Sequence, residues 1–365
     1  MNILVTHKAV DVATYKMLGE LSKNESYTIY LTVPSASEAA KVEGKCIPLP
    51  ISPITSKFSW KVIKTLRRYV KQYDIDLIFS PSTSGLSNAL IATIGTSVKN
   101  VGYRGTQAKV KKLDPTYYMG ILNPRVDHIV CETADIQEYL TRYIDKDKLS
   151  VSVKPFDIDW VADACANPKQ AEGVPDNAFK CIYIGTTKGR PFKGLTYLIK
   201  AFQILNAPEA HLVVIGDYDN SDYELAQQGV GAERIHFLWN REDAISFLPK
   251  QDLFILPALR DASPRVVREA MACGVPCIVT DIPGARDLIV DNESGILVPS
   301  GSAEKIAEAM RSLMDDHTKL QKLAKASRER IINEFSVEAY VLISISFLPV
   351  CHKCCTINDK TYAIA

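Results

Sequence analysis

The sequence predicts an α/β protein built from two doubly wound, Rossmann-like domains facing a central cleft. Three observations carry this. The chain has 365 residues, more than one hydrophobic core ordinarily organises. Short β-branched runs alternate with longer stretches that carry apolar residues at helical spacing, which is the βαβ pattern of a parallel sheet with helices on both faces. That alternation occurs twice, on either side of a Pro- and Gly-bearing stretch from Lys154 to Asn177.

In the first half, Asn2–Thr6, Tyr27–Thr32, Asp76–Ser80, Asn100–Tyr103 and His128–Glu132 read as strands. Val10–Leu21, Phe58–Tyr73, Gly85–Ile94 and Ala134–Tyr143 read as helices between them. Pro155, Pro168, Gly173 and Pro175 then give the composition of a connector rather than of a core element. The domains accordingly span residues 1–155 and 156–335, followed by an atypical tail, 336–365. In the second domain Cys181–Gly185, Leu212–Gly216, Ile235–Leu238, Leu253–Leu256 and Cys277–Thr280 read as strands, each followed by a helical stretch. In the tail, Val341–Pro349 reads as a strand.

Composition narrows the function classes. With 47% hydrophobic residues, 23% charged residues and a net charge of +1, the chain is ordinary and globular, and no nucleic-acid partner is expected. Its start lacks the pattern of a secretory signal, and its longest apolar stretch, Val341–Val350, falls well short of the ~20 residues a spanning helix needs. Nine cysteines, an odd number, suit a reduced compartment, so a cytoplasmic location is expected. Cys351, Cys354 and Cys355 have no second ligand pair of matching spacing, and no metal is expected. Neither GxGxxG nor GxxxxGK[ST] occurs, which weakens dinucleotide-dehydrogenase and P-loop readings.

The chemistry concentrates between Leu253 and Gly274. Leu253–Pro257 is a buried-strand run, and Ser263-Pro264 ahead of Val266, Val267, Ala270 and Met271 reads as a helix start, with Ser263 capping and Pro264 in the first helical position. The first-turn N–H groups would then face the cleft end of a strand, a setting suited to a diphosphate. Cys273-Gly274 supplies the stop, and Pro276 prevents continuation. Asp261 before the helix and Glu269 within it put two carboxylates at the same strand end; one can accept from sugar hydroxyls and the other from ribose hydroxyls. The ordinary alternative is an i,i+4 pair of Glu269 with Arg265, and these residues alone do not decide between the two.

The run Asp261-Ala-Ser-Pro-Arg-Val-Val-Arg-Glu269-Ala-Met-Ala-Cys-Gly274-Val-Pro276 resembles the donor-site signature of family-4 retaining glycosyltransferases of the GT-B fold, with Asp261 where Glu is usual. Pro283-Gly284-Ala285-Arg286-Asp287 and Asn292–Val298 continue the resemblance in register, Asp287 again standing for Glu. Tyr183-Ile184-Gly185 with Arg190-Pro-Phe-Lys193-Gly194 is similar to the family's opening segment, although Thr186 occupies the position where an Arg is usual and leaves that role to Lys188 or Arg190. The resemblance implies transfer of a sugar from a UDP- or GDP-sugar to a glycan, lipid-linked or small-molecule acceptor, with retention and without metal or other cofactor, in cell-surface polysaccharide biosynthesis. It makes Asp261, Lys193 and Arg190 the catalytic candidates; Glu269, Ser263, Pro264, Arg265, Val266, Gly185 and Gly216 fall on the donor side. Two cations beside a leaving diphosphate would neutralise its developing charge, and the alternative is a solvated basic loop.

On the acceptor side the candidates are His7, after the first strand, and Tyr103 and Arg104, where relatives often carry a His. Lys57, Lys61, Lys64, Arg67, Arg68 and Lys71 fall in one expected helix without acids, beside an apolar set. Such a helix either packs on the core with a solvated charged face or lies on an anionic membrane, which would place the protein peripherally on the inner face. Two rival functions stand beside the transferase: a nucleotide-sugar epimerase on a similar scaffold, and a catalytically weak nucleotide-sugar or carbohydrate-binding protein.

Overall fold

The computed structural model describes residues 1–6, 18–19, 21–23, 25–40, 44, 46–106, 109–153, 155–261 and 263–337. His7, most of the expected Val10–Leu21 helix, the Val341–Pro349 strand and Cys351, Cys354 and Cys355 lie outside these residues.

The first half forms β1 (Asn2–Val5), β2 (Thr28–Val33), α1 (Ala36–Ala40), β3 (Ile47–Pro50), α2 (Trp60–Gln72), β4 (Leu77–Ser80), α3 (Thr83–Ala92), β5 (Lys99–Arg104), α4 (Pro115–Tyr118), β6 (His128–Cys131), α5 (Ala134–Leu140) and β7 (Leu149–Val151). The strands make one parallel sheet in the order β3-β2-β1-β4-β5-β6-β7. β3 and β7 are absent from the sequence reading. Both are short edge strands, and Pro48 and Pro50 are tolerated in β3 because an edge needs no donor on its outer side.

The second half forms α6 (Ala162–Ala166), β8 (Phe179–Ile184), α7 (Leu195–Leu205), β9 (Ala210–Ile215), α8 (Asn220–Gln227), β10 (Ile235–Leu238), β11 (Leu253–Leu256), α9 (Arg265–Ala272), β12 (Cys277–Thr280), α10 (Pro283–Arg286), β13 (Ile296–Val298), α11 (Ala303–Asp315) and α12 (His317–Glu334). Its sheet is also parallel, in the order β10-β9-β8-β11-β12-β13. Every residue of β11 and β12 is buried, which explains why these strands read as unbroken apolar runs rather than as alternating ones. The stretch read as a connector does more than connect. Phe156, Val161, Ala171 and Val174 join the second core, since Pro and Gly interrupt regular backbone without preventing apolar side chains between them from burying.

In each sheet the strand order reverses direction once, between β1 and β4 and between β8 and β11. Crevices at the carboxyl ends of strands beside such points are where open α/β sheets take ligands. β8 and β9 run level from Phe179 opposite Ala210 to Ile184 opposite Ile215, so both end at one edge of the cleft. The two halves meet there. Arg286 lies 3.8 Å from Asp135, and the carboxylate of Asp287 accepts from the backbone N–H of Ala134 at the start of α5. Phe156 N–H donates to the carbonyl of Phe335 at 2.7 Å, which brings the chain back to the start of the second half once α12 is complete.

Candidate functional site

Two loops at the carboxyl ends of β8 and β11 are joined into one surface. The β8 loop passes through a 3-10 turn, Pro191–Lys193, and Gly194 then turns left-handed (φ 80°) directly into α7. A side chain at Gly194 would collide with the carbonyl oxygen of Pro257 just beyond β11, so only glycine allows this approach. Leu259 N–H donates to the carbonyl of Phe192 at 2.7 Å, and the Arg260 guanidinium lies 4.4 Å over the Phe192 ring.

This zipper brings Lys193 to Asp261. Nζ lies 2.6 Å from Oδ2, and the two side chains are 23% and 15% exposed. The other carboxylate oxygen accepts from Ser263 N–H at 3.2 Å, which fixes the chain as it turns toward α9. Arg190, the third catalytic candidate, is exposed at the rim of the same loop. Behind the pair the Tyr183 hydroxyl is buried and has no hydrogen-bond partner among the described residues, and burial together with the carboxylates of Asp222 and Asp261 drives its pKa up. Asp222 is itself buried; it accepts from Thr196 at 2.6 Å, and burial raises its pKa.

Gly185 and Gly216 meet at the ends of β8 and β9. Gly185 N–H donates to Ile215 at 2.9 Å, and Gly216 (φ 137°) packs so tightly on the Gly185 carbonyl that a side chain there would collide with it. Gly216 is thereby buried, and the half-buried Gly185 sits against the Tyr183 hydroxyl, so the two glycines let the strand ends pack backbone on backbone.

At α9 the structure corrects the expected cap. The helix runs Arg265–Ala272 with Pro264 at the N-cap position, and Ser263 makes no capping bond. The Ser263 hydroxyl instead accepts from the Arg268 guanidinium at 3.2 Å, and the N-cap position falls on Pro264, which has no side-chain acceptor to offer. The first-turn amides of Arg265 and half-buried Val266 therefore lack a side-chain cap and lie beside the Lys193–Asp261 pair in the chain. The helix stops at Cys273-Gly274 as expected. Glu269 is buried, and its carboxylate lies 2.8 Å from the Arg265 guanidinium, itself 68% exposed, so the i,i+4 pairing is the one formed in this structure. Burial raises the Glu269 pKa against the attraction of Arg265.

Arg268, on the inner side of α9, was missed by the sequence reading. It is buried, and its charge is felt by Glu132 at the end of β6 and by Tyr103 in β5, both from the first half; burial lowers its pKa. The available signal was a cation on the apolar face of an amphipathic helix. Tyr103 and Arg104 are half-buried at the end of β5, where Arg104 donates to the Thr106 carbonyl at 2.9 Å. Lys57 departs from expectation: α2 begins only at Trp60, after Ser59, and Lys57 sits outside it with Nζ 2.8 Å from the Thr116 hydroxyl. Among the described residues no cluster of His, Cys, Asp and Glu assembles that could hold a metal.

Two Rossmann-like domains, each a parallel sheet whose strand order reverses once, make the architecture of GT-B glycosyltransferases. Residues 167–330 match the family described as glycosyl transferases group 1, and the chain is a glycosyltransferase. The chain is 32% identical over 152 residues to a capsular polysaccharide biosynthesis glycosyltransferase, CapM, of Staphylococcus aureus, a match covering 40% of this chain and 39% of that protein. Over 342 residues, 87% of this chain and 88% of the relative, it is 22% identical to the UDP-Gal:alpha-D-GlcNAc-diphosphoundecaprenol alpha-1,3-galactosyltransferase of Escherichia coli. The solved structure of Anabaena Alr3699/HepE in complex with UDP superposes with a TM-score of 0.73 at 17% identity, covering 95% of this chain and 99% of that one. Among the described residues, no helix is long and apolar enough to cross a membrane.

Proposed function

We propose that this chain is a family-4 retaining enzyme that moves a hexosyl or N-acetylhexosaminyl group from a UDP- or GDP-sugar to a glycan or lipid-linked acceptor in cell-surface polysaccharide biosynthesis. The observation that carries the reading is the Lys193–Asp261 pair, 2.6 Å apart beside the uncapped start of α9. In the reaction the bond from the anomeric carbon to the diphosphate oxygen breaks, a bond to the acceptor oxygen forms, and the acceptor hydroxyl loses its proton. Negative charge grows on the departing diphosphate, so what accelerates the step is positive charge and donors fixed beside it. Lys193 and Arg190 supply the charge, and the amides of Arg265 and Val266 supply the donors, with no metal or other cofactor. Asp261 neutralises Lys193 while the site is empty and turns to the sugar hydroxyls once the diphosphate competes for the ammonium. Glu269 accepts from the ribose hydroxyls when Arg265, largely in solvent, swings away. Gly185, half-buried at the end of β8 and backed by Gly216, lies on the diphosphate side, and Tyr103 and Arg104 line the acceptor side.

The relatives support the acceptor and the donor. The names of the two curated proteins point to capsular polysaccharide and to a UDP-sugar with a diphosphoundecaprenol-linked acceptor, and the Anabaena structure holds UDP; UDP is therefore the donor nucleotide to try ahead of GDP. Of the two readings of α2, packing on the core is the one the burial supports: Val62, Ile63, Leu66, Tyr69 and Val70 are buried, so peripheral contact with an anionic inner face would run through the exposed Lys61, Lys64, Arg67, Arg68 and Lys71 alone. Calorimetry of UDP and GDP binding to wild type and Glu269→Ala tests the donor site. A loss of at least about tenfold is expected, since a buried carboxylate accepting two hydroxyls is worth on the order of 1.5–3 kcal/mol. Unchanged affinity would remove Glu269 from the site.

A further inference from the structure

A groove of about 750 Å³ lies within the first half, at the carboxyl ends of β2 and β3 and between residues of α1 and α2. One side is apolar, formed by Val33, Ala36, Ala39, Pro48 and Pro50. The other is a stripe of α2: Lys61, Thr65 and Arg68 follow one another at i, i+4 and i+7 and so share a face. No carboxylate lines the groove, and among the described residues neither Lys61 nor Arg68 forms an ion pair. Arg68 lies over the neighbouring Tyr69 ring at 5.2 Å, and the outward cations of the helix have local partners as well. Lys64 lies over the Trp60 ring at 5.5 Å, and Arg67 reaches the Ala92 carbonyl at 3.4 Å.

Size and polarity together specify a ligand class. Lys61 and Arg68 are separated by roughly 10 Å of helix at 1.5 Å per residue, a gap their flexible stems close around a diphosphate or phosphodiester. The hollow is far larger than such an anion, given that water occupies on the order of 30 Å³ per molecule. The remainder is walled by proline, valine and alanine, which suits hydrocarbon. At the amino end of α2, Phe58 and Trp60 are stacked at 19° and stand 55% and 58% exposed, an apolar rim beside the groove's basic wall.

We propose that this groove is a binding site for a phosphorylated amphiphile, with a diphosphate or phosphodiester head held between Lys61 and Arg68 and an alkyl or isoprenyl chain laid along the Val33–Ala39 and Pro48–Pro50 wall. Use of that molecule as the sugar acceptor rests on the transfer reaction proposed above; its binding does not.

Calorimetry on the full chain, with UDP at saturation so that the donor site is filled, uses farnesyl diphosphate, farnesol and inorganic diphosphate as probes. Farnesyl diphosphate is expected to bind at least tenfold more tightly than either fragment. The Lys61→Ala/Arg68→Ala double variant weakens it at least tenfold, and Thr65→Trp, which fills the groove without touching its charge, weakens it as well; UDP affinity stays unchanged in all three proteins. Undiminished binding of farnesyl diphosphate to the double variant overturns the proposal, as does inorganic diphosphate binding equally tightly. Displacement by dihexanoyl phosphatidylglycerol assigns the groove to bilayer lipid, and resistance to it assigns the groove to a diphosphate-linked lipid; either supports the site. Wild type that binds farnesyl diphosphate but no nucleotide leaves the groove standing and removes the transferase reading.

Discussion

Asp261 has two jobs, and both favour the shorter acid. Its Oδ2 holds Lys193 at 2.6 Å while its Oδ1 accepts from Ser263 N–H, two residues on. The second contact is an Asx turn, which an aspartate closes and a glutamate overshoots by a methylene. Where the resemblance puts Glu, this chain thus uses the side chain that also builds the loop. Asp261→Glu keeps the charge and is expected to hold kcat within roughly threefold, whereas Asp261→Asn removes the partner of a half-buried ammonium and is expected to lower kcat roughly 100-fold. Nucleotide release from a UDP-sugar with and without acceptor measures both, and full turnover by Asp261→Asn would take the residue out of the reaction. Each residue of the pair was legible in the sequence from its own segment. Their contact was not, because 68 residues separate them and only the zipper between Phe192 and Leu259 brings the loops together. The Tyr183 hydroxyl and Arg268 stayed hidden for a related reason, since each sits in a run that reads as plain core.

Among the elements, the buried parallel strands were the easiest to read. β8, β9, β11 and β12 each carry a nearly continuous apolar run bounded by glycine or proline, and nothing competes with that signal. Edge strands such as β3 bury less and tolerate proline, so the same test passes over them. Helix starts were legible only to within a residue or two, because capping depends on contacts from elsewhere in the fold: at α9 the Ser263 hydroxyl is held by Arg268, and the cap position falls on Pro264. The junction of the 3-10 turn with α7 carries its own prediction. Gly194→Ala would place a methyl against the Pro257 carbonyl at φ 80°, where strain and collision together cost about 3 kcal/mol or more. Thermal unfolding should show a Tm lowered by roughly 10 °C. Catalysis should fall further than stability explains, because the same collision pushes Lys193 from Asp261. A variant with wild-type Tm would mean that the loop repacks freely.

At the scale of the molecule, the contact between the halves has a pH signature. Asp287 accepts from Ala134 of the first half, but burial outweighs this bond and lifts its pKa to about 6, with Asp135 adding repulsion and Arg286 and Arg330 opposing it. The sign follows from proton binding. Between about pH 4 and 6 the native state holds a proton that the unfolded chain has released, so this group's contribution falls as pH rises through that window and is least favourable above it. Asp287→Asn, which can still accept from Ala134, is expected to match wild type near pH 4 and to gain in Tm relative to it as pH rises past 6. A difference that is flat across this range would show that the carboxylate is not buried at the contact. The fold class was legible at this scale from alternation alone. The contacts between halves were not, since Asp287, Arg286 and Arg268 meet Ala134, Asp135 and Glu132 through positions that no local pattern links.

The hydrogen bond from Phe156 to Phe335 sets the entry of the second half beside the end of α12. The backbone enters that half and, 179 residues later by the numbering, stands again where it came in. A unit whose two described ends lie side by side can be exchanged without disturbing the other half's strand order, provided the contacts of Asp287 with Ala134 and of Arg286 with Asp135 are kept. On the reading proposed above, this separates two inheritances: the half carrying Lys193, Asp261 and Glu269 can be traded among lineages while the other half diverges at its own pace.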